Sequence, residues 1–183
     1  LDTALTRLAD DRYRASPAGQ ADAIIGKARA AGDAPAQVKA LNEGVQKAPP
    51  EVREAVLASP KREQLLQDAA NWAMDPLAGG DATKADEKAR KDFNGAGQQV
   101  PVAKTMERLE LLTRGIDPAL ATALTAKTLP TLGRYVESYR NKSGGNPFGP
   151  SGMANMLKVL DRGADTPAGQ TNLESMAKLR VND

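Results

Sequence analysis

Between Pro101 and Arg140 the apolar residues recur at the spacing of a helix, and this stretch limits the fold more than any other. Val102, Met106, Leu109, Leu112 and Ile116 follow one another at intervals of three or four, with Leu111 widening the stripe, so a helix puts them on one face. Gly115 is suited to ending that helix. Asp117-Pro118 then restarts the chain, because Asp accepts from the free N–H groups of a first turn and Pro costs little at its first position. The next helix carries Leu120 and Leu124. Leu129-Pro130 is expected to break or kink it, since the residue before Pro is pushed out of the helical region. A third helix from Thr131 carries Leu132, Tyr135, Val136 and Tyr139. Three short apolar-faced helices are the expected centre.

Aromatic residues make up only 3% of the 183 residues, so a core must be built from Leu, Val, Ile, Met and Ala. Such side chains suit close helix–helix contact better than a sheet, which favours β-branched and aromatic residues. No alternating strand pattern stands out. The expected fold is therefore all-α, a compact multi-helix bundle of about eight to ten short helices.

Earlier segments support that class. Leu1, Leu5 and Leu8 start one amphipathic helix; Ile24, Ile25 and Ala28 belong to a second, Val38, Leu41 and Val45 to a third. Val52, Val56 and Leu57 mark a short fourth, and Ser59-Pro60 opens a fifth with Leu65, Leu66, Ala69, Ala70 and Trp72, where Trp72 reads as a core anchor. Residues 81–92 alternate in charge with almost no apolar face, which predicts a solvated helix or arm. Glycines and prolines around it, Gly79, Gly80, Gly95, Gly97 and Pro101, mark 76–100 as a connector between two helical halves, 1–75 and 101–183. After the central helices, residues 143–152 form the clearest loop, and Met153, Met156, Leu157 and Leu160 precede a last helix with Leu173, Met176 and Leu179.

One phrase occurs twice. Asp11-Arg12 followed by Ser16-Pro17-Ala18-Gly19-Gln20 matches Asp161-Arg162 followed by Thr166-Pro167-Ala168-Gly169-Gln170, and Ser59-Pro60 shares its outline. A hydroxyl cap, a Pro at the first position and a polar side chain one turn later constitute a helix start. The apolar positions after the phrase do not align, so a solenoid is not expected.

The chain has no Cys and no His, which removes disulfides, cysteine nucleophiles, histidine bases and the usual zinc sites. No Gly-rich phosphate loop and no Gly-x-Ser-x-Gly elbow occurs, so no cofactor or metal site is expected. A net charge of +2, from 25 basic and 23 acidic residues without a basic cluster, argues against nucleic acid; such binding would need Arg134, Arg140, Lys142, Lys158 and Arg162 on one surface. No apolar run is long enough to span a membrane.

Carboxylates are the remaining catalytic candidates. Glu107 and Glu110 share a helix face, with Lys104, Arg108 and Arg114 near enough to pair with them. Glu137, flanked by Arg134, Tyr135, Tyr139 and Arg140, is the best enzyme candidate: Glu137 as acid or base and Arg134 as anion clamp of a carboxylate-dependent hydrolase. A salt bridge explains the same residues. Tyr135, Tyr139, Arg140 and the loop residue Phe148 are the candidates for contact with another protein, Phe148 serving either as a plug on the core or as a presented side chain.

The phrasing of residues 40–60, with Ala40-Leu41, Gly44-Val45 and the run from Ala48-Pro49-Pro50 to Ala58-Ser59-Pro60, the Ile116-Asp117-Pro118-Ala119-Leu120 turn and the repeated Ser/Thr-Pro-Ala-Gly-Gln phrase resemble the Ala-rich helical regions of large secreted toxins and effectors of high-GC bacteria. The resemblance implies a helical module that supports delivery, binds a partner or flanks a separate toxic domain; the expected function is a non-enzymatic helical interaction or scaffolding module of a protein secreted or delivered to a host or competitor cell. It carries over no catalytic residue. The chain starts at Leu1 rather than Met, from which a piece of a longer protein is expected.

Overall fold

In the computed structural model, residues 2–77, 81–93, 100–143 and 145–179 are described. Ten α-helices and no strand occur among them: α1 (Asp2–Ala15), α2 (Pro17–Arg29), α3 (Ala34–Lys47), α4 (Pro50–Ala58), α5 (Pro60–Met74), α6 (Ala82–Phe93), α7 (Val100–Thr113), α8 (Pro118–Ser143), α9 (Gly149–Asp161) and α10 (Pro167–Lys178), with a 3-10 turn at Asp75–Leu77. The fold is all-α, as the composition and periodicity require.

Most starts are built by the expected chemistry. Ser16 and Thr166 each accept at the side-chain oxygen from the N–H three residues on, Gly19 at 3.1 Å and Gly169 at 3.0 Å. Each hydroxyl also donates backwards, to Tyr13 O and to Gly163 O, both at 2.6 Å. Gln20 Nε2 reaches Ala15 O at 2.9 Å, and Gln170 Nε2 reaches Ala164 O, so the polar residue one turn in does fold back. The shared glycine has a steric reason: a Cβ on Gly19 or Gly169 would run into the carbonyl oxygen of Tyr13 or Gly163 respectively. A third use of the device, without the hydroxyl, opens α3: Asp33 Oδ1 accepts from Ala36 N at 3.0 Å and Gln37 Nε2 donates to Gly32 O at 2.8 Å.

The chain forms two compact units, 1–66 and 67–183. In the first unit α2 packs on α1, α3 and α4. Ile25, Ala28, Val38, Leu41, Val52 and Val56 are its buried centre. Asp22 joins three helices there, accepting from Tyr13 Oη of α1 at 2.7 Å and from Lys61 Nζ of α5 at 2.6 Å. Both bonds hold the Asp22 carboxyl below its usual range, Lys61 contributing most. The apolar side of α1 is not buried: Leu5 and Leu8 are both exposed.

The second unit is arranged around α8, which packs against α6, α7, α9 and α10. Two expectations are corrected here. The separate helices foreseen on either side of Pro130 are one continuous helix of 26 residues that runs through Pro130. Pro removes one helical N–H and strains the preceding turn, but the neighbours of α8 bury Leu120, Leu124, Leu132, Tyr135 and Val136 on both sides of it, and that packing keeps the axis going. The charged segment 81–92, expected as a solvated helix or mobile arm, is a helix, but it is not solvated on every side. Ala85 and Ala89 of α6 are fully buried, a narrow stripe that is enough because two alanines four apart allow close approach to α8. Gly79, Gly80, Gly95 and Gly97 lie outside the described residues.

Of the α7 stripe, Val102, Met106, Leu109 and Leu112 are buried as the spacing predicts, while Leu111 is exposed. No helix among the described residues is long and apolar enough to cross a membrane.

Candidate functional site

The sequence-derived cluster on the C-terminal half of α8 does not converge on one site. Arg134 and Glu137 are both exposed. Tyr135 is fully buried and stacks on half-buried Tyr139, ring centroids 6.3 Å apart and planes 17° from parallel. Arg140 donates through Nη1 to Leu179 O, fixing the end of α10. Phe148 is fully buried, its N–H donating to Asn146 Oδ1 at 2.9 Å. As partner contacts, Tyr135 and Phe148 are therefore corrected: both plug the core, because a large ring in a domain with so few aromatics fills volume that nothing else can. The side chain of Lys142 and residue Gly144 lie outside the described residues.

The other carboxylate pair separates into two roles. Glu107 is exposed and pairs with Lys104 at 2.9 Å. Glu110 is only 5% exposed. Arg114 binds both its oxygens, Nε to Oε1 at 3.1 Å and Nη2 to Oε2. Arg162, from the turn after α9, adds Nη2 to Oε1 at 2.6 Å and donates through Nη1 to Glu110 O at 3.0 Å and Thr113 Oγ1 at 2.5 Å. Hydrogen bonds from Arg114 first, and from Arg162, pull the Glu110 carboxyl down to about 2 against the opposing effect of burial. So firmly ionised and fully paired a carboxylate is a clamp between α7 and the end of α9, not an acid–base group. It also commits Arg162, one of the five cations that a nucleic-acid surface would need.

Trp72 is half-buried and carries the Arg108 guanidinium over its ring, 5.0 Å from the centroid, while Arg108 Nη1 donates to Trp72 O at 2.8 Å. Its ring is thus engaged within its own unit. No group of three or more metal-ligating side chains occurs among the described residues.

A cavity of about 340 Å³ lies between α8 and α10, lined by Ala126, Leu129 and Pro130 on one wall and Thr171, Asn172 and Ser175 on the other. On α8 the three residues are spaced i, i+3, i+4, one face of a helix. Asn172 holds the walls together, its Nδ2 donating to Thr122 O at 3.1 Å. That amide is 5% exposed, yet among the described residues this is the one hydrogen bond it makes, so Oδ1 and a second N–H remain available at the cavity. Thr171 Oγ1 donates to Pro167 O and Ser175 Oγ to Thr171 O, which leaves their oxygens as acceptors only. Pro130 has no N–H, so the Ala126 carbonyl lacks its donor at the i+4 position of α8. The lining is mostly apolar, carries no ionisable side chain and is open to solvent.

Nothing in the spacing of the sequence places Asn172 at a groove. One signal was present: the buried Thr122, Thr125, Thr128 and Thr131, every third residue of α8, mark the helix as polar inside. No known protein family, curated protein or solved structure matches the chain.

Proposed function

We propose that this chain is a non-enzymatic helical interaction module that holds another protein in the groove between α8 and α10. The observation that carries this reading is Asn172, more than nine-tenths buried but with half its amide uncommitted at a cavity of about 340 Å³. The free amide atoms are open to solvent at the cavity, so a ligand there would exchange water for its own hydrogen bonds. The setting proposed for the module, a region of a larger secreted bacterial toxin or effector that reaches a host or competitor cell, rests on the phrasing of the sequence.

The test is a selection of linear peptides from a random library on the full chain, followed by titration of the selected peptides. Ser175→Trp, placed at the half-buried groove wall, fills the cavity. It is expected to weaken the selected peptides at least about tenfold while leaving the helical circular dichroism unchanged. Selected peptides that bind Ser175→Trp as tightly as the unaltered chain would overturn the reading.

A further inference from the structure

We draw no further inference here: the strongest candidate, the apolar side of α1 on which Leu5 and Leu8 are exposed, is an unpartnered helix face, and nothing in the structure shows what covers it.

Discussion

Arg162 Nη2 lies 2.6 Å from Glu110 Oε1, although 52 positions separate the two residues. The same guanidinium also takes up Glu110 O and Thr113 Oγ1, so the turn after α9 is tied to the last turn of α7 by one side chain. This is the one strongly desolvated carboxylate of the second unit with two cationic partners described, and it makes the fold sensitive to acid in a predictable direction.

Glu110 is held at about 2 in the folded chain, well below an ordinary glutamate. A depressed folded-state pKa gives stability that is present above the unfolded value and is lost as pH falls through the folded one, here between about pH 5 and pH 2. Discounted for the exposed Arg114, the contribution is about 2 kcal/mol. Glu110→Gln is expected to cost about 2–3 kcal/mol at pH 7, because it leaves the partly buried Arg162 without a counter-charge, and to flatten the acid limb. Urea unfolding of both proteins at pH 7, 5, 4 and 3 reads this; parallel losses of stability between pH 5 and pH 3 would sink it.

The two capping glycines should behave contrary to helix propensity. Ala is normally better than Gly inside a helix by about 1 kcal/mol. At Gly169, however, a Cβ would enter the space of Gly163 O, and at Gly19 that of Tyr13 O, so Gly169→Ala and Gly19→Ala are expected to destabilise by about 2–3 kcal/mol. Gly26, in α2 with nothing within 4 Å of a built Cβ, is the control, and Gly26→Ala should stabilise by about 0.5–1 kcal/mol. Thermal midpoints that rise in all three variants would show that the carbonyls do not press on the glycines.

Phe148 distinguishes a plug from a presented side chain. Its ring is fully buried, so Phe148→Ala is expected to cost about 3–4 kcal/mol through lost transfer energy and the cavity left behind. Leu157, exposed on α9, gives the contrast: Leu157→Ala should stay within about 0.5 kcal/mol. Equal denaturant midpoints for the two variants would contradict the plug.

Much of this architecture is written locally. The Ser16 and Thr166 caps, the Gln20 and Gln170 return contacts and the buried face of α7 depend on residues within about a turn and a half of each other, so their spacing in the chain carries the information. What the chain cannot show one residue at a time is which faces meet. Only packing around α8 carries a helix through Pro130, and only α8 makes a core surface of Ala85 and Ala89 on a helix that looks solvated. Likewise Glu110 becomes a clamp through Arg162, and Asn172 becomes a groove residue through Thr122, each pairing about fifty positions distant. By itself the sequence determined the class of fold, most helix starts and the absence of cysteine and histidine chemistry. Tertiary structure decided the clamp, the plug and the groove, because burial and long-range hydrogen bonds exist only once distant helices share a surface.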